Sequence, residues 1–570
     1  MTIQIGYSAP PFAGQKGRKL LVPVPITLGG ASGFATGVVR VSLISTSSPV
    51  GVLWIQAMPG TWNSVSTGAM ASVESPPFPT SGSLPHFTAF PSFLDNQNLT
   101  TPTTGYSATY LIEVFDTSVP PVQQGSIQFT LTGDAAPAQS VNVVFALDHG
   151  STMATTDSSN TSRLARLKAA LPLGVALLRD DDTLGVVSFG NLRCSVNPQL
   201  AIGNATSAQQ GRAITLGNDL VLDTSTPAVK CIQMGIDAGR ALSPTAMLVL
   251  VTDGVNTNAP GHVLTQPTLP TSALIIGEDP NQIPASAAKM VSADGHYAFA
   301  SKQTLGEFAI EKLLTQVLIG LSGSTFINDP DGSLGKGETQ SFPLQVTEAD
   351  RELEAIVFSN DAGALSVKLE LHVRHQPHSE PREYVARQHC HDEHQGIEKR
   401  GVLVTRLAVP ALADPELVLT PQVVITRTDA SARTSAPVRF NLLVVAKTDL
   451  MLDARVVASG PSVGSDLLFS ATLKEYGRAW ARPGVSVQVE LSHPDGFVQT
   501  IKLEESAPGR FEASLRSFRT GTYTAHFIAT GKSLLYSRPF RRECVRTIAV
   551  YPASDCCSTE LPCASTYTRT

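Results

Sequence analysis

The sequence predicts a multidomain protein with a doubly wound α/β domain at its centre and all-β sandwich domains on either side. Residues 141–153 (VNVVFALDHGSTM) and 246–254 (AMLVLVTDG) are each a continuous apolar run ending in an aspartate and small polar residues. Such runs read as parallel strands buried on both faces. Strand-like and helix-like segments alternate between and after them, which implies a parallel sheet covered on both sides, Rossmann-like in its winding. Outside this region, β-branched and aromatic runs are separated by Gly, Ser and Pro clusters, the pattern of sandwiches.

Taken in order, residues 1–138 read as an N-terminal β-sandwich, with strands expected at 20–28, 38–44, 51–55, 108–115 and 126–131. The Ser-, Pro- and Thr-rich stretch 61–102 reads as a long loop and contains no His-Glu-x-x-His. The α/β domain is expected over 139–323. Leu164, Leu167 and Leu171 recur at helical spacing behind the polar stretch 155–162, which can supply an N-cap. Pro172 then predicts a break or kink, because a proline in a helix interior costs about 3 kcal/mol. Short strands follow at 183–189, 272–276 and 297–301, and 303–321 reads as the closing helix, with Leu305, Phe308, Ala309, Leu313, Val317 and Leu321 near one face. Strands at 341–346, 353–358, 365–371 and 439–445 predict a second sandwich over 324–450. Val485, Val487, Val489 and Leu491 alternate before the turn Pro494-Asp495-Gly496, and strands at 510–515 and 521–529 follow. This arrangement over 451–549 resembles an immunoglobulin or fibronectin type III module. A Cys-containing tail fills 550–570.

In open α/β sheets ligands bind beyond the carboxyl ends of the strands, so Asp148 and Asp253 are expected to meet in one crevice. Two carboxylates and a hydroxyl-bearing loop there would suit a hard divalent cation. A strand-end aspartate can equally serve only to cap the next helix. The order strand-Asp-x-small-small-Thr-Met, helix, strand, helix, strand-Thr-Asp-Gly resembles a von Willebrand factor type A domain. That resemblance implies a metal-ion-dependent adhesion site with Asp148, Thr152 and Asp253 as ligands of Mg2+ or Ca2+, and a partner protein bound at Asp148, Ser151, Thr152, Lys230 and Asp253. Two positions depart from the family. Gly150 stands where it has a Ser ligand, and the register of Gly235-Ile236 puts Lys230 at its loop Thr. An ammonium there could occupy the cation's place by charge pairing; Thr226, reaching in through a longer loop, would instead preserve the metal.

The domain order over about residues 139–545 is similar to the calcium-activated chloride channel regulator family and its bacterial relatives. The helical zinc motif of that family's protease domain does not occur in the sequence, so the resemblance does not carry that activity here.

A second cluster gathers half of the chain's 12 histidines into 372–394, among them His389, Cys390, His391 and His394. These are good transition-metal ligands, but the spacing matches no closed tetrahedral motif, and a polar hairpin is the competing reading. Seven cysteines cannot all pair internally, and Cys544, Cys556, Cys557 and Cys563 crowd the C-terminus.

With 42% hydrophobic and 16% charged residues the composition suits sizeable cores, and a net charge of −6 without basic clusters gives no reason to expect nucleic acid. No stretch approaches the ~20 apolar residues of a membrane span, and the first residues lack signal-peptide features. The expected location is cytoplasmic, or extracellular by a non-classical route. Nucleophile-elbow, phosphate-loop and zinc-protease signatures are missing. The sequence therefore points to a non-enzymatic binding, adhesion or scaffold protein. The alternatives are a cytoplasmic component engaging an ATPase or large assembly and, more distantly, a metal-dependent hydrolase built on the histidines.

Overall fold

The computed structural model describes residues 3–552 except 10, 17–19, 31–32, 47–49, 58–60, 65–71, 76, 82–83, 94–100, 137–139, 157–159, 191–198, 225–231, 256–263, 278–288, 293–296, 301–307, 323, 376–381, 388, 391–400, 410–416, 429–435, 481–483 and 535–536. It is multidomain and mostly β-sheet.

The N-terminal region packs two six-stranded sheets face to face. Strict alternation along Thr103–Asp116 turns Tyr110, Ile112 and Val114 into a core shared with Val24, Ile26, Val39 and Val41. The loop expected over 61–102 contains strands instead, and Phe87–Phe93 lies inside a sheet, between Val24–Gly29 and Val50–Ala57. Its alternating Phe87, Ala89 and Phe93 are all buried, and this periodicity outweighs the Ser/Pro composition. Pro91 is accommodated beside a register shift at Pro91/Phe93.

The central unit contains β1 (Asn142–Asp148), α1 (Arg163–Val175), β2 (Thr183–Phe189), β3 (Gln199–Asn204), α2 (Ser207–Asn218), α3 (Ile232–Leu242), β4 (Met247–Thr252), β5 (Thr271–Ile276), β6 (Tyr297–Ala300) and α4 (Ala309–Ser322). Its sheet runs β3-β2-β1-β4-β5-β6. All neighbours are parallel except β2 and β3, which are antiparallel. The strands read from sequence are parallel as expected, and β3, which was not read from the sequence, adds an antiparallel edge because the β2–β3 connection is too short for a crossover.

Alternate residues of the buried strands face opposite sides. Val143, Phe145 and Leu147 pack with α1, α2 and α4, while Val144 and Ala146 pack with α3. Ser162 caps α1, its Oγ accepting the Ala165 N–H at 3.1 Å. The break expected at Pro172 does not occur, since Pro172 is buried inside α1 and the helix runs on for one further turn to Val175. The face expected for the closing helix is too narrow. Ile310, Leu313, Leu314 and Leu318 meet the sheet, while Phe308 and Ile319 meet Phe326, Ile356 and Phe358 of the following sandwich.

The regions expected as separate sandwiches at 324–450 and 451–549 share one ten-stranded sheet. Ser324–Asn328 joins the halves by pairing with Val438–Thr448 on one side and Pro539–Val550 on the other. A four-stranded sheet covers the first half and a five-stranded sheet the second. In the second half the Tyr523 hydroxyl donates to the Arg519 carbonyl at 3.0 Å, the geometry of a tyrosine corner. Cys544, grouped from sequence with the terminal cysteines, is a buried free thiol in this core. Burial pushes its pKa up, so it stays protonated. Cys556, Cys557 and Cys563 lie outside the described residues.

Polar clasps join the α/β unit to the first half of this pair. Arg179 ion-pairs with Glu352 and, at 3.6 Å, with Glu354. Lys312 on α4 ion-pairs with Asp329 at 2.8 Å.

Candidate functional site

The sheet order reverses between β1 and β4, whose carboxyl ends carry Asp148 and, one residue past β4, Asp253. In-register parallel pairing sets Leu147 beside Val251, so the two aspartates share one end of the sheet. Thr252 ties them together, since its hydroxyl donates to Asp148 Oδ2 at 2.6 Å. The same Thr252 oxygen accepts the Gly254 N–H at 3.1 Å, in a turn where Gly254 takes φ 77°, a conformation that glycine adopts without strain.

Asp148 is fully buried, and its Oδ1 accepts the Gly150 N–H at 2.8 Å. A buried carboxylate requires such donors. Asp253 Oδ1 accepts the Val255 N–H at 3.0 Å, while Oδ2 pairs with Arg163 Nη1 at 3.2 Å. Arg163 is the first residue of α1 and was not singled out from the sequence.

Ser151 and Thr152 lie in the short 3-10 turn Ser151–Ala154 that follows β1. The Thr152 Oγ1 is buried without a hydrogen-bond partner. This turn is fastened to the start of α1, because the Arg163 N–H donates to the Thr155 carbonyl at 3.0 Å and Thr156 bridges to Ser162. On the other side, the Asp223 N–H donates to the His149 carbonyl at 2.8 Å and Asp223 bridges to Gly150. The Asp223 carboxylate packs so close to Gly190 that a Cβ there would come within 2.6 Å of its Oδ2. His149 Nδ1 donates to the Val221 carbonyl at 2.9 Å, and its Nε2 too is buried without a hydrogen-bond partner. His149, Asp223, Thr252 and Arg163 are thus additions to the site read from sequence.

Asp148, Ser151, Thr152 and Asp253 fall at one end of the sheet. Thr226 and Lys230 lie outside the described residues. Of the histidine cluster, His389–Cys390 is a short strand against Gly401–Ala408, and His391 and His394 lie outside the described residues. Among the described residues no group of three His, Cys, Asp or Glu side chains is placed to hold a metal ion, and no helix is long and apolar enough to cross a membrane.

No protein-family model matches the sequence, and no curated protein matches it. Among solved structures the chain is similar to a von Willebrand factor type A protein from Catenulispora acidiphila, at 12% identity over 66% of this chain and 68% of that one, with a TM-score of 0.24. It is also similar to the ArnB paralog VWA2 from Sulfolobus acidocaldarius, at 13% identity over 61% of this chain and 72% of that one, with a TM-score of 0.21. A DUF4785 family protein from Legionella pneumophila matches at 11% identity over 40% of this chain and 65% of that one, with a TM-score of 0.22.

Proposed function

We propose that residues 139–323 form a von Willebrand factor type A-like recognition domain and that the protein is a non-enzymatic binding or scaffold protein, with the β-sandwiches carrying that head. One observation carries this reading. Asp148 and Asp253, joined through Thr252, stand where the strand order reverses between β1 and β4. Open α/β sheets receive their ligands at that point.

The family's site would place Mg2+ or Ca2+ between these groups, and the unpaired Thr152 hydroxyl suits such a role. The rest of the donor set does not. Gly150 offers no side-chain oxygen, and Asp253 is held by a guanidinium that would repel a divalent ion. We therefore assign no step to a metal.

A photo-crosslinking residue at Val255, beside Asp253, tests the reading against a control at Val457, which is exposed on the third sandwich. The expected result is a discrete protein adduct from position 255, absent from 457 and lost when Asp148→Asn is added to a folded protein. Adducts that are equal at both sites, or unaffected by Asp148→Asn, would remove the crevice from recognition.

A further inference from the structure

Arg163 occupies an unusual place for an arginine. The first turn of a helix carries a partial positive charge, so a cation there is unfavourable unless an anion lies close by. Ser162 already satisfies one of the exposed amides of that turn, and Asp253 provides the anion for one guanidinium nitrogen. Among the described residues, the Nη1 bond to Asp253 is the only side-chain hydrogen bond Arg163 makes. Its side chain is 16% exposed, whereas that of Asp253 is fully buried. The guanidinium thus reaches the surface while the carboxylate it pairs with does not, and Nε and Nη2 have no hydrogen-bond partner among the described residues. A guanidinium presents five N–H donors in a planar fork that matches a carboxylate with two parallel bonds.

We infer that Arg163 is a metal-independent receptor for a carboxylate of the partner. It binds an aspartate or glutamate side chain through Nε and Nη2 while Nη1 remains on Asp253. The inference rests on the reading of the crevice as a recognition site and deepens it by naming the group recognised. Backbone bonds hold the arginine in place: its own N–H is fixed on the Thr155 carbonyl, and the turn bearing Thr152 is fastened to the same helix end. The charge of the helix terminus adds to that of the side chain, so the crevice mouth favours an anion although its floor is acidic.

The test uses full-length protein labelled with 15N-arginine and the probe N-acetyl-aspartate N-methylamide, titrated in excess chelator. The Arg163 Nε–H signal, assigned by its loss in Arg163→Lys, should shift saturably. The neutral asparagine analogue should leave it unmoved. Arg163→Lys, which keeps the charge but loses the fork, should weaken the probe by about tenfold when its affinity and that of the wild type are read by calorimetry.

Asp253→Asn separates this mechanism from a metal site. It should leave probe binding intact or tighter, since a competing carboxylate is gone, whereas a metal-centred site would lose the probe altogether. The inference is overturned if the signal does not move in chelator, if it moves only with added magnesium, if Arg163→Lys binds equally well, or if Asp253→Asn abolishes binding. A crosslinked partner at position 255 without any Arg163 response would defeat this inference and leave the recognition site standing. An Arg163 response without a crosslinked partner would leave a carboxylate-binding arginine and defeat its role in protein recognition.

Discussion

Arg542→Ala should lower the unfolding free energy of the C-terminal pair of sandwiches by about 3–5 kcal/mol, the cost of removing one partner from a buried ion pair. Arg542 and Asp350 have fully buried side chains and meet at 2.6 Å across the join between the two halves. Arg542 Nε also donates to the Leu450 carbonyl at 3.2 Å and Nη1 to the Arg541 carbonyl at 2.9 Å. Asp350 Oδ2 is held separately by the Thr347 N–H at 2.7 Å. Alanine would leave a buried carboxylate without its counter-ion and two carbonyls with one donor fewer. Urea denaturation reads the change, and a loss below about 1 kcal/mol would show that water reaches the join and screens the charge. Asp350→Leu combined with Arg542→Met should recover most of the loss, because an apolar pair of similar volume incurs no desolvation cost.

Glu475→Gln should have the opposite sign at neutral pH. Glu475 is fully buried, with Oε2 accepting the Leu534 N–H at 2.9 Å and Oε1 unpaired. Burial, reinforced by the charge of Glu348, raises its pKa well above the ordinary 4.5, and the Leu534 N–H and Arg542 offset this only in part. A folded-state pKa above the unfolded one means that the carboxyl's contribution to stability is complete below pH 4.5 and is lost as pH rises toward the folded value. Across that window the wild type should lose about 1.4 kcal/mol per pH unit relative to the Gln variant. Denaturation of both proteins at several pH values between 4 and 8 checks this (roughly the span over which a buried carboxyl titrates). A difference independent of pH would mean that Glu475 ionises in the folded protein as it does in water.

These charge effects have no local signature in sequence, since Arg542 and Asp350 are 192 residues apart. The buried central strands are different. β1 and β4 are legible because a strand covered on both faces must be apolar throughout, and the aspartates that end them mark the edge of burial. β3 is less legible because its residues are half exposed and interrupted by Gly203. Phe87–Phe93 was hidden by a composition that resembles a loop, although its alternation was present.

At the site, the reading from sequence sought a cation to replace the metal and placed it at Lys230. Lys230 lies outside the described residues, and among the described residues Arg163 is a cation on Asp253. The available clue was electrostatic: an arginine directly after a serine N-cap stands at the wrong end of a helix, and that mismatch calls for a nearby carboxylate.

Calorimetric titration of magnesium into the wild type and Arg163→Gln tests the central claim most directly, that the crevice carries its own cation. The account predicts no saturable heat for the wild type and measurable binding for the variant, in which the guanidinium that repels a divalent ion from Asp253 and the unpaired Thr152 hydroxyl is gone. Stoichiometric magnesium binding by the wild type, unchanged or weakened in Arg163→Gln, would contradict it.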